Sequence, residues 1–253
     1  MKSVYGPVPS WRLGRSLGID PICSENKVCS FDCVYCPLPG NLKNCERKKF
    51  IGLEKLKQDF KDAENAEADV ITFSGTGEPS LAENLEEMIA YIRAISKMPL
   101  AILTNSTLLN DIEVCKSMNK LDIVVAKLDA SNESIFKKVN RPHKKIVFEN
   151  YLKGLKEFRE QYSGKFALQI MFVEENKDYA EEISKIAKSL HPDEIQINTP
   201  LRPCKVKPLS QKEIEKIKAN FEGSAKVLTA YDSVKPIVNP LDLSEVLKRR
   251  PEK

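Results

Sequence analysis

Three cysteines inside eight residues constrain this chain more than any other feature. The stretch Cys29-Ser-Phe-Asp-Cys33-Val-Tyr-Cys36 puts thiols at x3 and x2 spacing on one short loop, where they can converge on a soft-metal site with little backbone strain. Iron–sulfur runs and tetrahedral zinc sites both use four ligands, so a compact set of three leaves one coordination position for another molecule. A zinc knuckle or a structural cysteine cluster would use the same spacing. The chain has seven cysteines. An odd number gathered around one loop suits metal binding in a reducing compartment better than disulfide pairing. Cys115 sits in an apolar pattern with Ile112, Val114 and Met118 and is expected to be a packing residue. Cys23 and Cys45 flank the triad closely enough to leave a second cluster open.

Around that loop the hydrophobic period alternates between strand and helix. The prolines and glycines of Tyr5 to Asp20 exclude a long helix there, and Ser16 to Ile22 reads as a short strand entering the loop. Leu53, Leu56, Phe60 and Ala63 share a helical face, and Ala68 to Phe73 is a buried type of strand. Further strands are predicted at Leu100–Leu103, Asp122–Asp129, Phe166–Phe172 and Glu194–Asn198. Helices are predicted between them, one opened by a Ser80/Glu83 capping box and bearing Leu81, Leu85, Met88, Ile89 and Ile92. The others start near Asp111, cover Ser131–Val139, and carry Ile183, Ile186 and Leu190. Ser210 and Glu213 form a second capping box, followed by a strand at Lys226–Tyr231 and a helix at Leu241–Arg249. This alternation predicts an α/β fold with a mostly parallel sheet and ligands at the strands' carboxyl ends. The expected organisation is a core over residues 1–210 with a helix-strand-helix extension, 211–253, packed on it.

Cys29-x3-Cys33-x2-Cys36, with Tyr35 before the last cysteine, resembles the signature of the radical S-adenosylmethionine (SAM) enzymes. Ser74-Gly-Thr-Gly-Glu-Pro79 is similar to their Gly-Gly-Glu-Pro motif, with Thr76 where that family often has the second glycine. The resemblance implies a partial (β/α)6 barrel with one [4Fe–4S] cluster on Cys29, Cys33 and Cys36 and SAM on the fourth iron. It also implies reductive cleavage of SAM to methionine and a 5′-deoxyadenosyl radical that abstracts hydrogen from a substrate, with the electron coming from a donor such as ferredoxin or flavodoxin. On the same resemblance Tyr35 packs near the adenine, and Gly75, Thr76, Gly77 and Glu78 hold the SAM amino group. Thr104-Asn105-Ser106 resembles a Thr-Asn-Gly strand end, which adds Asn105 and Ser106. Lys127 and Asp129, two apart on one strand face, match a pair that binds the SAM carboxylate and ribose, although a structural ion pair would look the same. Gln169 is expected to face the barrel interior as a contact to SAM or substrate. A side chain at Gly77 is expected to weaken SAM binding and leave the cluster in place.

On the substrate side, Arg12 and Arg15 precede the first strand and could bind an anion, while Arg141 and His143 sit on the Asn140-Arg-Pro-His143 loop. The opening of the chain and the Asn198–Cys204 segment resemble the archaeal wyosine-base-synthetase-like radical SAM proteins, which modify tRNA, and this makes tRNA a partner to test. A peptide, protein or small metabolite is the alternative substrate, and an iron–sulfur or zinc regulatory module is the non-enzyme alternative.

A chain of 253 residues suits one α/β barrel-sized domain. Nothing approaches eighteen consecutive apolar residues and the N-terminus lacks an apolar signal core, so no membrane span and a cytoplasmic location are expected. The net charge of +4 is low for an obligate nucleic-acid binder. Two local runs, Lys43/Arg47/Lys48/Lys49 and Lys137/Lys138/Arg141/Lys144/Lys145, could grip phosphates or form a solvated face.

Overall fold

The computed structural model describes residues 1–40, 42–223, 225–232 and 234–251. The chain begins with β1 (Val4–Ser10) and β2 (Gly14–Ile19), then a short parallel pair, β3 (Val28–Cys29) and β4 (Leu42–Lys43). It continues α1 (Leu53–Lys61), β5 (Val70–Phe73), α2 (Leu85–Ile95), β6 (Leu100–Thr104), α3 (Ile112–Met118) and β7 (Ile123–Lys127). There follow α4 (Glu133–Val139), α5 (Phe148–Gln161), β8 (Lys165–Met171), α6 (Ala180–Ser189), β9 (Glu194–Asn198), α7 (Gln211–Ala219), β10 (Lys226–Thr229) and α8 (Leu243–Arg249).

One sheet of eight strands, in the order β1-β2-β5-β6-β7-β8-β9-β10, curls into a partial barrel. Every neighbouring pair is parallel except β1 on β2. The six strands expected of the core are β2 and β5 to β9, and β10 continues the sheet in parallel beside β9. The apolar runs fill both faces: all four residues of β5 are buried, as are Leu100, Ala101 and Ile102 of β6. That is the pattern of a parallel sheet covered by helices.

Three elements differ from the sequence reading. β1 has no predicted counterpart, because Pro7 and Pro9 read as breakers. It is an edge strand with a register shift between Tyr5 and Val8, the setting in which a sheet tolerates proline. α5 was not foreseen either, although Phe148, Tyr151, Leu155 and Phe158 are its buried face. The Ser80/Glu83 capping box does not form. Ser80 lies in a 3-10 turn, Pro79–Leu81, where its N–H and hydroxyl both donate to Glu78 Oε1 (3.1 and 2.7 Å), and α2 starts later, at Leu85 after Asn84. The Ser210/Glu213 box does form.

The last helix closes on the first strand. Val246 of α8 packs with Tyr5 and Val8 of β1. Arg249 lies over the Tyr5 ring (4.6 Å), donates from Nε to Asp20 Oδ2 (2.9 Å) and from Nη2 to the Lys2 carbonyl (2.5 Å). Among the described residues no helix is long and apolar enough to cross a membrane.

Candidate active site

The carboxyl ends of the parallel strands open into a cavity of about 310 Å3, lined by Cys29, Cys33, Cys36, Tyr35, Gly77, Glu78, Asn105, Lys127 and Gln169 among others. This lies in the size range of small-molecule sites. All three triad thiols and the Gly77-Glu78 turn therefore face one space, and β5, β6, β7 and β8 each deliver a lining residue just after or at their last positions.

The turn after β5 is built against the cysteine loop. Asp20, at the end of β2, takes the Thr76 N–H (3.1 Å) and hydroxyl (2.9 Å) on Oδ2 and the N–H groups of Ile22 and Cys23 on Oδ1. Thr76 also accepts from the Ser24 N–H (3.0 Å). Its side chain thus points at β2 and the loop, and neither Thr76 nor Gly75 lines the cavity. A Cβ on Gly75 would fall 2.1 Å from Asp20 Cγ, and one on Gly77 would fall 1.8 Å from the Val28 carbonyl oxygen. That oxygen accepts from the Glu78 N–H (3.0 Å), while the Val28 N–H donates to the Thr76 carbonyl (3.1 Å). A side chain at position 77 therefore meets the backbone of the cysteine loop, because Val28 and Gly77 form a parallel β-bridge one residue from Cys29.

Glu78 is fully sequestered. Its carboxylate accepts from Ser80, from the Thr104 hydroxyl (2.7 Å) and from the Asn105 N–H (2.6 Å), and burial raises its proton affinity against these donors. Asn105 then donates from Nδ2 to Ser30 Oγ (2.7 Å), with Cys29 Sγ 3.4 Å away. Glu78 and Asn105 hold the ends of β5 and β6 against the cysteine loop. Ser106, at φ +71°, occupies the left-handed region that favours glycine, and its hydroxyl accepts from the Lys127 N–H (3.0 Å) across to β7.

Lys127 lies 5.1 Å from the centre of the Tyr35 ring, 3.4 Å from Gln169 Oε1 and 3.6 Å from Asp129 Oδ2. Asp129 does not line the cavity. Its Oδ2 accepts from the Tyr35 hydroxyl and from Asn140 Nδ2 (2.7 Å), and Oδ1 from the Met171 N–H (2.7 Å). The carboxylate fixes Tyr35 and binds the α4 end to β8. Burial, then the Asp129 charge, pushes the Tyr35 hydroxyl well above its ordinary value.

The donor set fits an iron–sulfur cluster. Tetrahedral zinc needs four ligands gathered around one ion. A cubane asks less, since each thiolate takes its own iron. Lys27 is a buried cation beside the triad: it is 4% exposed, its ammonium makes no hydrogen bond, and Asp32 approaches only to 3.8 Å. Burial pulls its proton affinity down, but Cys36, Cys29 and Cys33 raise it on balance. Burial pushes the Cys29 thiol up to about 12, a cost that iron ligation offsets by replacing the proton. Lys27 carried no recognisable motif in the sequence. Of the flanking cysteines, the Cys23 thiol donates to the Met1 carbonyl (3.4 Å), and Cys45 Sγ lies 3.4 Å from His143 Nδ1. The Cys115 thiol donates to the Leu109 carbonyl (3.2 Å), against the core.

Of the four substrate-side candidates only Arg12 reaches the cavity. Arg15 is three residues on, past the turn, and points outward to Asp69 (2.8 Å) and Glu67 (3.1 Å). Arg141 is exposed at φ +47°, and His143 sits beside Cys45 behind the cysteine loop, so neither lines the cavity. Trp11, Arg202, Lys235 and Arg250 do line it. Of these the sequence reading gave no role to Arg202, Lys235 or Arg250. Burial, followed by Arg250 and Arg202, pulls the Arg12 guanidinium down to about 9.

A curled parallel barrel with a three-cysteine loop at its carboxyl ends defines a class of protein, and comparison with known proteins confirms it. The family model of the Radical SAM superfamily matches residues 26–187, and the chain belongs to that superfamily: it is a radical SAM enzyme whose cofactors are a [4Fe–4S] cluster and SAM. Within it the chain groups with the UPF0026 proteins. It is 40% identical over 221 residues to the one from Synechocystis sp., covering 84% of this chain and 79% of that protein. It is 37% identical over 245 residues to the one from Methanocaldococcus jannaschii, covering 92% and 72%. A Brachyspira hyodysenteriae protein named GTPase Obg is 36% identical over 243 residues, of which the chain spans 35% of the length. In fold, the chain is similar to Streptococcus suis SuiB bound to S-adenosylmethionine (TM-score 0.65, 13% identity, 86% of this chain and 50% of that one). It is also similar to anSMEcpe with bound AdoMet (TM-score 0.65, 20% identity, 85% and 64%).

Proposed function

We propose that Cys29, Cys33 and Cys36 ligate the cluster and that SAM lies between them and the strand ends carrying Gly77, Asn105, Lys127 and Gln169. When bound, the two cofactors supply an electron and a 5′-deoxyadenosyl radical for hydrogen abstraction from a substrate. The observation that carries this reading is that the three thiols and the Gly77-Glu78 turn line one cavity. The chain's own part is to hold: Glu78 and Asn105 lock the loop, Tyr35 is fixed by Asp129 beside the cysteines, and Lys127 presents an ammonium that matches the SAM carboxylate. Thr76, Ser106 and Asp129 support this shell from behind, and Gly75 makes room for Asp20.

A small substrate is the reading the cavity favours. The tRNA reading, and with it the likeness to wyosine-base synthetases, needs the basic runs to grip phosphates, yet Arg47, Lys49, Lys137 and Lys145 sit within 4.0 Å of Asp111, Glu87, Glu133 and Glu46. About four phosphate contacts would give log K against log salt a slope of roughly −3. tRNA binding across a salt series decides, and absence of such a slope removes that reading. Ferredoxin or flavodoxin remains the proposed type of electron donor, and a cytoplasmic location follows from that reducing chemistry.

The test is anaerobic reconstitution. Close to four irons and four sulfides are expected, lost in Cys29→Ala, Cys33→Ala and Cys36→Ala and kept in Cys115→Ala. Stoichiometric zinc without sulfide would sink the reading.

A further inference from the structure

Among the described residues, the lining of the cavity is rich in cations. Among those residues are Arg12, Lys127, Arg202, Lys235 and Arg250 and one carboxylate, Glu78, which is taken up by its own hydrogen bonds. Lys127 has Asp129 beside it. The arginines come from three distant segments. Arg12 is on the turn joining β1 to β2. Arg202 follows β9, and Arg250 ends α8.

We propose that the part of the cavity lined by Arg12 and Arg250 binds an anionic oxygen group of the substrate, a phosphate or a carboxylate. The proposal rests on the assignment of this cavity to SAM and substrate made above. Arg12 lies 5.1 Å from the Trp11 ring, and its Nε is buried without a hydrogen-bond partner. A guanidinium that only packed its stem on an apolar wall would leave its head in water. Arg250 and Arg202 stand close enough to disfavour the Arg12 charge. The carboxylate that favours it, Glu194, is engaged by Lys165 Nζ (2.8 Å) and Gln196 Nε2 (2.8 Å). Buried charges are ordinarily paired, and gathered like charges are relieved when an anion enters. The planar guanidinium fork matches the oxygens of phosphate and carboxylate. The anchor of Arg250 is its neighbour Arg249, held by Asp20, so the end of α8 is fixed where the cavity needs a cation.

The probes are pyrophosphate, inorganic phosphate and malonate, titrated calorimetrically into the full chain after anaerobic reconstitution and loading with SAM. At least one should bind saturably, and its affinity should fall at least about tenfold in Arg12→Gln and in Arg250→Gln, since a hydrogen bond to a charged group is worth about 1.5–3 kcal/mol. Arg12→Lys should recover part of the loss. Phosphates that bind while malonate does not assign a phosphate, and the converse assigns a carboxylate. No binding of any probe to wild-type protein, or equal binding in both Gln variants, overturns the proposal. Iron content and SAM affinity of the same wild-type sample report on the cofactor assignment separately, so failure there is distinguishable. Arg250→Gln alters a half-buried residue at a helix end and keeps the test open should Arg12→Gln fail to fold.

Discussion

The carbonyl oxygen of Val28 stands where a side chain at Gly77 would have to be, 1.8 Å from an ideal Cβ. A backbone oxygen cannot turn aside as a side chain can. The turn after β5 and the cysteine loop therefore move together or not at all. Gly77→Val should lose iron and SAM binding in parallel, measured as iron per chain and by equilibrium dialysis of SAM. A folded Gly77→Val protein that keeps its full iron content would show that the Val28 bridge yields easily.

The Arg249–Asp20 pair joins the end of α8 to the same turn. Both side chains are at most 1% exposed, and the same Asp20 oxygen also accepts from the Thr76 N–H and hydroxyl. Removing one partner of a buried pair leaves the other charge uncompensated, at a cost of about 3–5 kcal/mol. Arg249→Leu should lower the urea midpoint accordingly. A loss under about 1 kcal/mol would mean that water replaces the guanidinium at Asp20.

What was legible in the sequence was local. The triad and the Ser74–Pro79 turn carry their chemistry within a few residues, and the β5 to β9 strands are apolar runs that only a covered parallel sheet uses. β1 was hidden because proline marks an edge strand and a loop alike. The pairing of Gly77 with Val28 and the saturation of Asp129 by Tyr35, Asn140 and Met171 depend on register between distant segments. Arg12 and Arg15 looked equivalent, yet three residues and a turn send one into the cavity and the other to Asp69. Arg202 and Arg250 meet Arg12 only once the sheet has curled and α8 has docked on β1.

The α7 cap gives a pH dependence. Hydrogen bonds from the Ser210 hydroxyl and N–H, with Lys177 beside them, hold the Glu213 carboxyl down to about 2, below its ordinary 4.5. A depressed carboxyl contributes stability above its unfolded value and loses it as pH falls toward the folded one. The contribution should be present at pH 7 and fade between about 4.5 and 2. Ser210→Ala should lower the urea midpoint at pH 7 and narrow its gap to wild type by pH 2.5. An equal gap at both values would show that the box acts without the Glu213 charge.

Lys27 makes the sharpest prediction for the cluster. Its ammonium is buried, without a hydrogen bond, and near enough to the three cysteines for their charge to raise its proton affinity. It lies two residues from Cys29, on the backbone that β3 ties to β4. A fixed positive charge there favours the more negative, reduced state of the cluster, so it raises the reduction potential. A unit charge several ångströms away at an effective dielectric near 20 is worth on the order of 100 mV. Lys27→Met keeps the chain length and removes the charge; its cluster should titrate at a more negative potential by that order, and Lys27→Arg should stay near wild type. The measurement is a redox titration followed by electron paramagnetic resonance, on samples matched for iron. A potential shift of similar size in both variants would assign Lys27 a packing role, because arginine preserves the charge and changes the shape.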